Sequence, residues 1–502
     1  MKNIINKGTL AILLATGVFL LNSNCTNLTN GLSTDPVNLT NPSVIDPSKY
    51  MSGAQVVLIG IFEGDQARQA GMWSGYFSGE DRQYLGLSNY VTSGQDYDVE
   101  WVSIYTSLFK NTQLLKQNAA PSNNFVSVGI AQVMEAMSIG LAADMWGDVP
   151  YSQITRYPAV STPKFDNQAT VYASAQALLD SAIANLASTG SAPGDFMLGG
   201  SKSAWTAVAH TVKARLYLHV RDYANAITQA GLGIASVSGN LMATHGNAYL
   251  QTFNLYYSFT TYDRSGYMSA NSFAPKLLDA SQPGSRNNAK TDETARLNYI
   301  YYPGSGLNFA PQAGTYEPNV LVDFDWANPA NLNGFFGATT SFPLVTFQEN
   351  QLILAESYMK QAAPDPTSAL NALNTLRAYY ATGAHVNSGY AAAYSYNYQP
   401  YVPADFAPAG IDNNGTDTQN QALLREILEE RYVTLIGQIE GWTDMRRTGN
   451  FINIPLPTGK TDYPRRGLYS QIEQNTNPNC AALVNASGYG LFEPVPAFSS
   501  AY

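Results

Sequence analysis

The chain has 502 residues, 27 basic and 37 acidic side chains and a formal net charge of −10. A negative chain without a Lys/Arg run excludes a nucleic-acid-binding role resting on phosphate contacts. Only Cys25 and Cys480 are present, which excludes a disulfide-stapled scaffold.

Lys2 and Lys7 precede a twelve-residue apolar run, Leu10 to Leu21. That is too short to span a bilayer and suits a secretory signal, so residues 1–24 are read as a signal peptide. Cys25 follows directly and is the expected lipidation site. With residues 1–24 removed, Cys480 has no intramolecular partner in the mature chain. No later run reaches 18 apolar residues, which places the body in water. Length alone would allow about three domains. No linker-like or low-complexity stretch divides the chain, so residues 25–502 are read as one domain. Charged residues make up only 13%, while aromatics reach 12% with 33 Tyr, which predicts a weakly charged, aromatic-bearing surface.

Helical periodicity recurs in blocks. Tyr50 to Glu63 pairs with Val99 to Gln117, and Phe125 to Trp146 with Gln168 to Leu186, for which Asp166 is the expected N-cap. The second of these stops at Met145 to Tyr151 (MWGDVPY), where Gly147 is free to take a left-handed C-cap and Pro150 cannot continue a helix. Ala204 to Val220 turns through Arg221-Asp222 into Tyr223 to Ile234. Phe347 to Gln361 and Thr367 to Tyr379 are separated by Pro364 and Pro366. Asp417 to Ile436 is the last long helix, with Leu424, Ile427, Leu428 and Leu435 on one face. Antiparallel helix pairs with short turns are tetratricopeptide-like units. The fold class is therefore mostly α, a helix-pair solenoid with a few short strands. Long irregular stretches lie between the helices, at 64–98, 241–344, 382–416 and 450–502, and such lengths usually carry function or unrecognised structure.

The step Gly147-Asp148-Val149-Pro150-Tyr151 and the run Glu429, Glu430, Arg431, Gly441, Trp442, Asp444, Arg446, Arg447 resemble hallmarks of the SusD/RagB-like family. Weaker collinear matches are Lys213-Ala214-Arg215, Leu354 to Tyr358, Leu373 to Arg377, Tyr463 to Arg466 and Asn475 to Asn479. The resemblance implies four helix-pair repeats wrapping an irregular second half. It also implies a lipid-anchored nutrient-binding protein on the outer cell surface, partnered by a SusC-like TonB-dependent transporter. Asp148, Tyr151, Trp442, Arg446 and Arg447 sit at helix ends, where caps and clamps are needed, and are read as architecture.

Sugars present flat C–H faces ringed by hydroxyls, which aromatic platforms and planar hydrogen-bonding groups hold. The loop Met72 to Tyr84 combines such groups and nominates Trp73, Tyr76, Arg82 and Tyr84. Tyr256 to Tyr267, Tyr299 to Tyr302 and Tyr316 to Trp326 nominate Tyr257, Tyr262, Tyr301, Tyr302 and Trp326. Tyr390 to Tyr401 faces either ligand or transporter. Packing competes with binding at each of these positions. The expected ligand is an oligosaccharide, with an oligopeptide as the alternative.

Enzyme signals are weak. No G-x-S-x-G, P-loop or HExxH is present, and His210, His219, His245 and His385 lack metal-ligand spacing. A glycosidase is the contrasting class, yet no local pattern nominates a carboxylate pair. Asp412 to Asp417 (DNNGTD) resembles a calcium loop, but Leu423 stands where the bidentate Glu belongs, so a turn and N-cap fit better. No cofactor is expected.

Overall fold

The structure, a computed structural model, describes residues 46–156, 159–248, 251–303, 315–322, 331–486 and 488–502. The expected signal peptide, Cys25 and Trp326 lie outside these residues. Pro47–Tyr502 forms one compact unit.

Four helix pairs stack in chain order. Pro47–Glu63 packs on a long helix assembled from Asp98–Val102, a π-helical turn at Ser103–Leu108, and Phe109–Ala119. Phe125–Trp146 packs on Gln168–Leu186, Lys202–His219 on Tyr223–Ala230, and Phe347–Lys360 on Pro366–Tyr380. Each pair covers the next, and Gln419–Thr434 closes the row against Phe347–Lys360. The solenoid expected from periodicity is thus present.

Phe125–Trp146 is apolar almost all round. By length and average composition it could cross a membrane, although Gln132, Glu135 and Asp144 interrupt its apolar run. Here it is a core helix, covered on its several sides by the first, second and third pairs. It ends at Gly147, whose φ of 85° and ψ of −109° give the positive φ expected but leave it outside the left-handed helical region.

The irregular second half contains four two-stranded antiparallel ribbons among the described residues. Ser78–Gly79 pairs with Met268–Ser269, Leu241–Ala243 with Phe342–Val345, Thr291–Asp292 with Asn397–Tyr398, and Tyr301–Pro303 with Tyr316–Pro318. The stretch 64–98, read as loop, instead holds the helices Asp65–Trp73 and Arg82–Ser88. Both are short, and the first buries Gln66, Arg68 and Gln69 among its apolar residues, which hid the apolar period. Asn167, not Asp166, caps Gln168–Leu186; Asp166 accepts from the backbone N–H of Tyr151 (3.2 Å) and Ser152 (2.7 Å) and so fixes the turn after Pro150. Thr418 caps the last long helix in a capping box with Gln421.

A buried chain of charge joins the repeats. Arg447 donates to Glu356 (2.7 Å from Nη2) and to Asp444 (2.6 Å), and Asp444 also takes Arg431 (2.7 Å). Arg431 reaches Glu349 (3.9 Å), which binds Arg215 through two bonds of 2.6 Å. Arg215 approaches Glu440 (3.7 Å), and His219 lies between Glu440 (3.1 Å) and Asp144 (2.9 Å). Burial alone would lower the pKa of His219, but Asp144 and Glu440 outweigh it and raise it to about 9. The same pairing, chiefly with His219 and Arg215, holds the Glu440 carboxyl well below its usual range despite burial.

A second cluster pins the irregular half to the last long helix. Arg286 contacts Glu426 (2.8 Å), Glu430 (2.7 Å) and Glu293, and Arg296 donates to Glu430 (2.9 Å). Burial opposes ionisation of Glu430, yet Arg286 and Arg296 bring its pKa down to about 2.

Removing one partner of a buried pair leaves an uncompensated charge. Arg447→Leu is therefore expected to cost about 3–5 kcal/mol, read from the urea midpoint. His219 has a folded pKa above its ordinary 6.5, so its stabilisation is complete below pH 6.5 and is lost as pH rises to about 9. Stability should fall across that window, and His219→Gln should flatten the fall; an unchanged slope in chemical denaturation contradicts the assignment.

Candidate ligand-binding site

The open face of the irregular half is built around the segment Tyr256 to Met268. Asn254 caps its short helix by accepting from the N–H of Tyr256 (3.0 Å) and Tyr257 (3.2 Å). The helix passes into a π-helical turn, Phe259–Asp263, a feature often found at functional sites. On one side of this segment lies a cavity of about 520 Å³, bounded by Asp65–Trp73 and Arg82–Ser88.

Its apolar wall is Tyr84 against Phe259, with ring centroids 4.7 Å apart. Arg68 lies 4.4 Å from the Phe259 centroid and donates to the Tyr84 hydroxyl (3.2 Å). Burial opposes the charge on Arg68, but Tyr84 and Asp65 outweigh it and keep it protonated. Burial raises the pKa of the Tyr84 phenol, so it stays neutral. Gln66, Gln69, Gln83 and Gln95 bring four amides to the same cavity, with Asp65, Asp96, Asp263 and Arg264. Gln66 donates to the Asp96 carbonyl (2.8 Å) and Gln69 to the Tyr97 hydroxyl (3.3 Å), which orients both amides. Three carboxylates against two guanidinium groups leave little net charge. Rings, amides and balanced charge suit a neutral, hydroxyl-rich ligand.

Across the segment lies a smaller, more apolar cavity of about 290 Å³, lined by Thr260, Met268, Tyr302, Pro318 and Leu321 among others. Tyr262 is 45% exposed beside the half-buried Tyr257, their centroids 5.9 Å apart. Burial and Tyr262 push the Tyr257 phenol up to about 12. Arg82 is exposed and bonds the Tyr267 hydroxyl at the rim.

The structure therefore divides the nominated residues. Tyr84 and Tyr302 line cavities, and Arg82, Tyr257 and Tyr262 stand around them. Trp73, Tyr76 and Tyr301 are corrected to core positions, with exposures of 2%, 0% and 0%. Trp73 donates to the Leu87 carbonyl (2.8 Å) and meets Trp442 edge-on at 5.0 Å. Tyr76 donates to the Tyr432 carbonyl (2.8 Å), and Tyr301 to the Tyr76 carbonyl (3.2 Å). A surface ligand does not reach these rings. Tyr390, Tyr398 and Tyr401 are likewise buried, while Tyr394 is exposed. Arg68, the glutamines, Phe259 and Arg264 were missed; the signal lay in Asp65-Gln66-Ala67-Arg68-Gln69, whose polar groups on successive helical turns line one wall.

The hallmark residues act structurally. Asp148 accepts from the Gln168 N–H (2.9 Å), Trp442 donates to the Pro464 carbonyl (2.8 Å), and Arg446 lies 3.6 Å over the Trp442 ring while donating to the Asp144 carbonyl (2.6 Å). Tyr151 packs on Phe109 at 6.4 Å. In the 412–417 loop, Asn414 accepts from the N–H of Thr416 and Asp417, and Asp417 pairs with Arg425 (2.6 Å), the geometry of a turn. Asp144, His219 and Glu440 could converge on a metal ion. However, each ring nitrogen of His219 faces a different carboxylate, the geometry of a hydrogen-bonded clamp.

A helical-repeat frame carrying an open, amide-lined face defines a class of binding protein. Residues 39–469 match the SusD-like family described as starch-binding associating with outer membrane, and the chain belongs to that family. The fold is shared with a SusD/RagB family protein from Bacteroides thetaiotaomicron (21% identity, TM-score 0.63, covering 90% of this chain and 99% of that one). It is shared also with a chitin-binding protein (21%, 0.59, 91% and 100%) and a chitin-binding SusD homologue from Flavobacterium johnsoniae (14%, 0.62, 90% and 99%). No curated protein matches the sequence.

The core placement of Tyr76 is testable through Gly441. A Cβ at Gly441 falls 2.2 Å from the Tyr76 hydroxyl oxygen and 2.4 Å from its ring. Gly441→Ala is expected to lower stability by about 1–3 kcal/mol, read by thermal and urea denaturation. An unchanged midpoint contradicts tight packing of this ring.

Proposed function

We propose that the protein is a non-catalytic, lipid-anchored binding protein of the outer cell surface. It captures a neutral oligosaccharide and passes it to a SusC-like TonB-dependent transporter. The observation that carries this reading is the open cavity of about 520 Å³ in which the Tyr84–Phe259 wall stands beside four glutamine amides. Apolar ring surface packs on the C–H faces of sugars, here through the small part of Tyr84 and Phe259 left open (6% and 5%), and planar amides bond hydroxyls in both directions. A family described as starch-binding and two chitin-binding structural relatives support a glycan over a peptide. The solenoid supplies a rigid frame, and ligand transfer needs no chemistry from this chain.

The protein lacking residues 1–24 should bind soluble glucose or N-acetylglucosamine oligomers in calorimetry. Gln83→Ala with Arg264→Ala should weaken binding about tenfold or more without lowering the melting temperature. Mass spectrometry should recover the oligomers unshortened; turnover rejects the binding-only reading. In cells, Cys25→Ala should move the protein from the membrane fraction to the soluble fraction. Retention in the membrane by the variant rejects anchoring through this cysteine.

A further inference from the structure

A further cavity, outside the face described above, lies along the helix that begins at Asp98. It measures about 550 Å³ and runs between the helix beginning at Asp98, the turn after Pro150 and the short helix Gln471–Thr476. Its floor is an aromatic ribbon. The Trp101 and Tyr105 centroids are 4.6 Å apart, and Tyr105 and Phe109 are stacked at 6.1 Å. The π-helical turn Ser103–Leu108 carries Tyr105 at its centre. Both principal cavities are thus bordered by a π-helical turn, and such turns recur at functional sites.

The polar groups have a particular arrangement. The Tyr105 hydroxyl is buried beneath the floor, so the residue offers the cavity its ring. Thr106, Gln113, Gln153 and Thr155 bring hydroxyls and amides around the apolar floor. Lys110 and Glu473 bring one charge of each sign. Glu473 accepts from the Trp101 indole (3.2 Å), which fixes the ring. An apolar ring floor, a rim of neutral donors and acceptors, and cancelling charges again fit a neutral hydroxylated ring.

The two cavities are neighbours. Val99 borders the first, and Trp101 and Val102 border the second. Val99 and Val102 are three residues apart on one helix, about 4.5 Å along its axis. From Trp101 to Gln113 the second cavity follows that helix for about 18 Å. The partition between them is pinned, because Asp98 accepts from the Ser470 hydroxyl (2.6 Å) and the Ile472 N–H (3.1 Å).

We propose that the Trp101–Tyr105–Phe109 groove is a second subsite for a neutral glycan, so that one long oligomer crosses the Val99–Val102 turn and occupies both cavities. This rests on the carbohydrate reading of the first cavity and adds a selection for chain length. Two linked contacts act as one binding event of higher affinity.

Calorimetry with glucose and N-acetylglucosamine oligomers of two, four and eight units tests it. The eight-unit oligomer should bind at least tenfold more tightly than the two-unit one. Thr106→Trp places a bulky ring on an exposed groove position and should abolish that gain while leaving two-unit binding unchanged. If short oligomers bind, but affinity does not climb with length or Thr106→Trp has no effect, the second subsite is overturned and the first stands. If no oligomer binds the unmodified protein, both fall.

Discussion

Everything in this molecule hangs on buried guanidinium groups that each hold more than one carboxylate or carbonyl. Arg447, Arg431, Arg215 and His219 link Glu356, Asp444, Glu349, Glu440 and Asp144, which come from separate repeats and from the closing helices. Ion pairs at such depth add little net stability over apolar packing, because desolvation offsets the attraction. What they impose is geometry. A planar fork accepts a carboxylate in one orientation, so the angle between neighbouring repeats is set by bond directions as well as by side-chain volume.

That constraint explains how an open polar face sits on so rigid a body. Arg286 and Arg296 extend the same device into the irregular half, where Glu293, Glu426 and Glu430 hold segments with little regular structure. Around the first cavity, local hydrogen bonds add to this: Gln66 donates to the Asp96 carbonyl and Arg68 to the Tyr84 hydroxyl. Gln66, Gln69 and Arg68 stand on a helix fastened to this frame, which lowers the ordering cost of binding.

The solenoid was legible in the sequence because long helices repeat a 3.6-residue period. Phe125–Trp146 and Gln168–Leu186 were placed to the residue. The proposed ligand face was less legible. Burial of Trp73, Tyr76 and Tyr301 depends on Trp442, Leu87 and Tyr432, partners up to several hundred residues away, and no local pattern reports such contacts. An aromatic in a glycine-bearing stretch looks the same whether it faces solvent or a distant helix. The short helix Asp65–Trp73 was overlooked for a related reason. It is buried on all sides, with Gln66, Arg68 and Gln69 interleaved among Ala67, Ala70 and Met72, so no apolar stripe marks it.

The helix from Phe125 to Trp146 has a consequence for how the chain assembles. It possesses no wet side, so no partial stack can shelter it: a fragment ending after the second pair exposes one flank, and a fragment starting with it exposes another. Consensus solenoids tolerate added or deleted units because every unit keeps a soluble back. Here the first three repeats have to assemble together to cover this helix, with lipid or aggregation as the alternative fate of the uncovered segment.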